Sequence, residues 1–358
     1  MPSLKEIKGR INSISSTLAI TSAMKMVAAA KLQKAQMAIQ NMLPYERRLY
    51  SMLVDLMGAM NISAAASEDG SVRGSGSAER GFDQSGDRLS LSNRHDLAGM
   101  DGAYSLMAQR EVRKVAIVAF ASNSSLCGAF NSNAIREATA VINEYRASGL
   151  RDSDIVVYSV GRKMAEAMRK LGFPSPADFT KMSDSPSYEA ASALAQELLD
   201  GFVSGRFDKV ELVYNHYKST SSQPTIRQTY LPLSLADATA DIQVGKITDS
   251  ASESDTNRGA EPVGAPVVRQ GSPTTEDLIV EPSKEALIAT LLPKVIRLRI
   301  FTTLLDSAAA EHAARTVAMQ LATDNGNDLL QELTLEYNKG RQQKITSEIL
   351  DLVGGSMQ

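Results

Sequence analysis

Apolar positions at the amino end recur at alternating steps of three and four. Leu4, Ile7, Ile11, Ile14 and Leu18 trace the seam of a coiled-coil helix. Ile20, Met24, Val27, Ala35, Ile39 and Met42 extend an apolar stripe in a shifted register. Ser3 with Glu6 three positions later is a capping-box start. Neither Gly nor Pro interrupts the stretch between Ile11 and Leu43, and Pro44 is expected only to kink a helix that resumes until Gly58. The reading is a helix of roughly 50 to 55 residues, about 80 Å long.

A matching pattern closes the chain. From Glu281-Pro282-Ser283 to Gly354-Gly355 the sequence is rich in Ala, Leu, Glu, Gln and Arg. Leu330, Leu333, Tyr337, Ile345, Ile349 and Leu352 keep helical spacing, with a kink expected at Pro293 and loosening at Asp324-Asn325-Gly326-Asn327. At roughly 70 residues this helix reaches about 100 Å. Two such helices bury their stripes most economically against each other, as an antiparallel coiled coil built from both ends of one chain.

Between them the period changes. Val112 to Ala121, Asp154 to Val160, Lys209 to Tyr217 and Thr225 to Leu233 are β-branched, apolar strand signals. They alternate with helical stretches over Asn133 to Ala147, Arg162 to Leu171 and Tyr188 to Val203. The alternation predicts a small, Rossmann-like, mostly parallel sheet with an antiparallel addition at its edge. The fold class is therefore α/β: a long coiled coil of terminal helices carrying a small sheet domain. The organisation is a shaft helix at 1–58, an α/β domain at 111–235 and a second shaft helix at 282–358. Ser-, Gly- and Asp-rich inserts at 63–102 and 237–275 read as mobile surface segments.

Composition narrows the function classes. The 38 basic residues are balanced by 41 acidic ones for a net charge of -3, which argues against nucleic acid as a partner. No stretch approaches the roughly 18 apolar residues that span a bilayer, so membrane association is expected through partners, without direct insertion. The amino terminus carries no basic or Arg-rich targeting pattern and reads as the start of the mature protein. Cys127 is the single cysteine, which points to a reducing compartment and leaves no pair for an internal disulfide.

Candidate chemistry is sparse. The strand-to-helix turns carry neither Gly-x-Gly-x-x-Gly nor a phosphate-cradling Gly-Lys-Ser/Thr signature, and Gly74-Ser75-Gly76 falls in an insert. His95, His216 and His312 lack partners at metal-ligand spacing, so each reads as structural. Cys127 beside Gly128 reads as a small buried hydrophobe at a tight turn rather than a nucleophile. The expectation is no catalytic, cofactor-binding or metal site. A nucleotide enzyme built on the sheet and a homo-oligomeric coiled-coil scaffold are the rival readings.

The terminal helices carry recognisable motifs. Lys5-Glu6-Ile7-Lys8-Gly9-Arg10-Ile11 is followed by Thr21-Ser22-Ala23-Met24-Lys25-Met26-Val27-Ala28-Ala29-Ala30-Lys31-Leu32. At the other end stand Glu311-His312-Ala313-Ala314-Arg315-Thr316-Val317-Ala318-Met319-Gln320, Ala322-Thr323-Asp324-Asn325, Tyr337-Asn338-Lys339-Gly340-Arg341-Gln342 and Ile345-Thr346-Ser347-Glu348-Ile349. With Ser122 to Asn131 these resemble the gamma subunits of F-type ATP synthases, bacterial type, with two extra inserts. In that family Ser-Asp-Arg-Gly precedes Leu-Cys-Gly, whereas here Ser122-Asn123-Ser124-Ser125 does. Ser356 stands where the family usually has Ala.

The resemblance implies a rotating central stalk, an asymmetric axle without an active site. Its implied partners are the alpha and beta subunits of the head, the epsilon subunit and the membrane ring of c subunits, driven by protons or sodium ions. It implies a peripheral location on the cytoplasmic face of the inner (plasma) membrane. Arg341, Gln342 and Thr346 are the polar residues expected to meet loops of the head, with Met24 and Lys25 as further contact candidates. The uncharged run from Ile11 to Met24 suits a surface that turns in a sleeve without ion pairs locking one angle.

Overall fold

A computed structural model of the chain describes residues 3–59, 106–107, 109–233, 281 and 283–356. The inserts assigned to 63–102 and 237–275 lie outside the described residues. Helix α1 spans Leu4–Ala59 and the last helix, α6, spans Lys284–Ser356. At 56 and 73 residues they run about 84 and 110 Å at helical rise. Ser3 Oγ accepts from the Glu6 amide at 3.3 Å, the expected start of α1. Pro44 and Pro293 sit inside continuous helices, and the segment from Asp324 to Asn327 remains helical, so the expected loosening there does not occur. Backbone groups freed by a helical proline can still find partners, and packing along more than 50 Å of seam outweighs the local loss.

The two helices pair antiparallel. Leu4 faces Gly340, Leu18 faces Gly326, Thr21 meets Thr323, Lys25 meets Gln320 and Thr302 donates to Glu46. Along α1 one heptad of buried or half-buried positions runs without a slip: Leu4, Ile7, Ile11, Ile14, Leu18, Thr21, Lys25, Ala28, Leu32, Ala35, Ile39, Met42, Glu46, Leu49, Leu53 and Leu56. Of the stripe expected in a shifted register, Met24, Ala35, Ile39 and Met42 are half-buried, whereas Ile20 and Val27 are not. Ile20 and Val27 are 61% and 57% exposed, and the seam passes through Thr21, Lys25 and Ala28 instead. Small or polar residues hold the seam there while Ile20, Met26 and Val27 face outward.

The sheet contains β1 (Val115–Phe120), β2 (Ile155–Val160), β3 (Lys209–Asn215) and β4 (Thr225–Leu231) in the order β2-β1-β3-β4. The first three strands run parallel, with Val118 opposite Tyr158 and Leu212. β4 is antiparallel to β3, as expected for an edge addition. Helices α2 (Phe130–Ala147), α3 (Arg162–Lys170), α4 (Thr180–Asp184) and α5 (Tyr188–Val203) connect the strands. The short α4 has no counterpart in the periodicity reading.

Both faces of the sheet are covered over its parallel strands, which is why β1 and β2 read as near-continuous apolar runs. On one face Ala116, Val118, Phe120 and Leu212 pack with α5 and with Leu53 of α1 and Leu292 and Ile296 of α6. On the other, Val115, Ile117, Ala119 and Val213 pack with Ala134, Ala138 and Ile142 of α2 and Met164 and Met168 of α3. The shaft thus forms part of the domain's core at its lower end.

An ionic network lies at the α2 face. The Glu211 carboxylate is held by Arg227 through Nε at 2.7 Å and a terminal nitrogen at 3.1 Å, by Lys209 Nζ at 2.6 Å and by the Tyr145 hydroxyl at 2.6 Å. Arg227 also pairs with Glu144. Burial alone would raise the Glu211 pKa, but the bonds from Arg227, Lys209 and Tyr145 outweigh it and hold it below the ordinary carboxylate value.

Candidate functional site

Three regions bear on function: the free tip of α6, the collar where the sheet grips the shaft, and the crevice at the ends of the parallel strands. The tip begins where α1 runs out. Past Gly340 every described side chain of α6 is exposed, including Ile345, Ile349, Leu350, Leu352 and Val353 at 48% to 74%. Ile345, Ile349 and Leu352 stack on one side by steps of four and three. An exposed apolar stripe of this kind, formed by Ile345, Ile349 and Leu352 beyond the reach of α1, marks a surface for another protein.

Arg341, Gln342 and Thr346 are all exposed at the base of this tip. Gln342 and Thr346 are one turn apart, and the Thr346 hydroxyl donates to the Gln342 carbonyl at 2.9 Å. Arg341 sits about 100° around the helix from Gln342. Met24 and Lys25 are not brought to this group. They stand opposite Gln320, about 30 Å down the rod from Arg341. Both are half-buried, and Lys25 Nζ donates to Gln320 Oε1 at 2.7 Å, while Gln320 donates in turn to Asp324. The Lys25 ammonium is thereby engaged across the seam.

The collar was not singled out by the sequence reading. Arg315 of α6 donates to the Ser125 carbonyl at 2.6 Å, to Ser124 Oγ at 2.8 Å and to Glu311 at 2.6 Å. Asp306, nine residues earlier, accepts the Tyr217 amide at 2.9 Å and pairs with His216 at 2.6 Å. Tyr217 reaches both helices, because its hydroxyl accepts from Gln36 of α1 at 2.6 Å. Between these bonds Cys127, Phe130 and Ala310 form a small buried cluster. The signal was present in the sequence: Asp306 and Arg315 are charges set inside a long apolar, Ala-rich helix, where each must find a partner.

Cys127 is 1% exposed, and Asn131 Nδ2 donates to its sulfur at 3.2 Å. Leu126 and Gly128 flank it with φ of 66° and 58°, the tight turn expected at this position. His216 is a packing and pairing residue, and His312 is half-buried, its pKa drawn down to about 4 by desolvation and by the charges of Lys31 and Arg315. His95 lies outside the described residues.

In an open parallel sheet a ligand enters where strand order reverses, outside the carboxyl ends. Here that point lies between β1 and β3. The loops leaving those strands, Ser122–Ala129 and the segment after Asn215, close on α6 through Arg315, Asp306, Phe130 and Ala310. The shaft helix occupies the crevice that a nucleotide-binding sheet keeps open. Among the described residues no three His, Cys, Asp or Glu side chains are grouped to hold a metal ion, and no helix is long and apolar enough to cross a membrane.

Fold and surface together define a one-chain coiled-coil shaft, seated in an α/β domain and ending in a free helical tip. The ATP synthase family model matches residues 3–357. The ATP synthase gamma chain of Phocaeicola vulgatus is 46% identical over 357 residues, covering all of both chains, and that of Bacteroides thetaiotaomicron is 44% identical over 358 residues at the same coverage. The fold is also that of a chain in the rotor of the Euglena gracilis mitochondrial ATP synthase, with a TM-score of 0.51 at 18% identity over 96% of this chain and 98% of that one. The chain belongs to the ATP synthase gamma-chain family.

Proposed function

We propose that this chain is the rotating central stalk of an F-type ATP synthase and carries no catalytic site of its own. The paired helices act as the axle within a head of alternating alpha and beta subunits. The sheet domain below them meets the epsilon subunit and the c-subunit ring, whose ion-driven turning it passes upward. ATP chemistry then belongs to the beta subunits, and the chain works as a peripheral component at the cytoplasmic face of the inner membrane.

The observation that carries this reading is the shape and surface of the rod. One chain supplies both helices of the seam, so no second copy is required to satisfy it, and α6 overshoots α1 with an exposed apolar stripe. The sheet crevice filled by the shaft counts against the enzyme alternative. The test is co-expression with the cognate alpha and beta subunits, followed by mass and ATPase measurement. One copy per three-plus-three head, with activity depending on it, is expected; a stable homo-oligomer indifferent to those subunits would overturn the reading in favour of a scaffold.

Arg341 and Gln342 supply a finer prediction. Since both side chains are exposed, replacing both with Ala is expected to leave the chain's thermal unfolding within about 0.5 kcal/mol of wild type. Coupled ATPase activity of the assembled complex should fall several-fold without loss of assembly. Wild-type rates would remove this patch from the head contact.

A further inference from the structure

We propose that His216 and Asp306 form a pH-sensitive latch fastening the β3–β4 loop, and through it the sheet, to shaft helix α6. One carboxylate clips two consecutive residues of the loop: Asp306 Oδ2 pairs with His216 Nδ1 at 2.6 Å and Oδ1 accepts the Tyr217 amide at 2.9 Å. The loop is braced on itself by the reciprocal Ser219–Ser222 backbone bonds and by the His216 amide donating to the Pro224 carbonyl. The Tyr217 hydroxyl reaches Gln36 on α1, so a change at His216 is felt at the point where sheet and both helices meet.

The site is placed for exchange with solvent. The His216 side chain is 43% exposed while Asp306 is 17% exposed, so the proton can leave from the imidazole while the carboxylate stays in place. The charged groups acting on the ring are Asp306 from α6 and Lys218 from its own loop, and α1 contributes the neutral Gln36 through Tyr217. The bond to Asp306 is the largest influence and raises the imidazole pKa above 6.5, against desolvation and Lys218. A raised folded-state value gives a grip that is complete below 6.5 and is lost as pH rises through the higher value. Past that point a neutral ring can still donate from Nδ1 to the ionised carboxylate, but the attraction between opposite charges is gone.

The test uses the full-length chain with labelled histidine, so it stands whether or not the chain proves to be a rotor. His216, assigned by its disappearance in His216→Gln, should titrate above 6.5, and Asp306→Asn should return it toward 6.5. Amide exchange at Tyr217, corrected for the intrinsic pH dependence, should lose several-fold in protection across that titration. In His216→Gln, which keeps the Asp306–Tyr217 bond, protection should be flat with pH at the weaker level. A His216 titration at or below 6.5 would overturn the latch. So would an equal loss of protection in His216→Gln.

Discussion

Replacing Glu211 with Ala is expected to destabilise the sheet domain by about 3 kcal/mol, the lower end of the cost of removing one partner from a buried ion pair. The carboxylate is 2% exposed and is the common acceptor for Arg227, Lys209 and Tyr145, so its loss strands three donors at once. The lower end applies because Arg227 and Lys209 are about a quarter exposed and can turn toward water, and Arg227 keeps Glu144. Near-UV circular dichroism during urea unfolding is the measurement, since the chain has no Trp and its tyrosines report the packed domain. A loss below about 1 kcal/mol would show the network to be no more than a surface ion pair.

The same group fixes an acid limit. Its folded-state pKa lies below the ordinary 4.5, so its stabilisation is present above 4.5 and drains away as pH falls through the lower folded value. Wild type should therefore lose stability with acid over that window more steeply than Glu211→Ala. Parallel curves would exclude Glu211 as the group responsible.

Gly161→Ala is expected to cost about 4 kcal/mol, adding backbone strain to a steric clash. Gly161 leaves β2 with φ of 98°, and a Cβ there would lie 2.0 Å from the Ala121 carbonyl oxygen. That carbonyl cannot retreat cheaply. It accepts from Ser183 at 3.0 Å, and the Ala121 amide is bonded to Val160 at 2.9 Å across the two strand ends. Gly149 is the internal control, because its φ is 93° with nothing within 4 Å of an added Cβ. Gly149→Ala should show the dihedral strain alone, about 1–2 kcal/mol. Equal losses at the two positions would place the whole effect in backbone strain.

Much of the architecture could be read from periodicity, for reasons particular residues make plain. Leu4 to Leu18 announces the coiled coil, and the four β-branched runs fall on the four strands, with Tyr188–Val203 matching α5. Strand order was not legible, because strands buried on both faces carry no mark of their neighbours. The seam from Thr21 to Ala28 was misread because hydrophobicity was taken as the sign of burial inside the chain. Ile20 and Val27 turn it outward, which suits a surface that another subunit covers. The collar stayed hidden because Asp306, Arg315 and Tyr217 are meaningful only once the β1 and β3 loops are known to converge on α6. At the tip, Arg341, Gln342 and Thr346 were identifiable by motif, whereas their exposure required knowing where α1 begins.

The start of α1 opposite Gly340 gives the rod an eccentric end. Packed helices stand 8–10 Å apart, so the axis of the single tip helix lies about 4–5 Å from the midline of the pair below it. In the rotor proposed above, a paired section turning about its own midline would carry the tip on a circle of that radius. It would present Ile345, Ile349 and Leu352 to a different part of the surrounding head at each angle, as the lobe of a cam does.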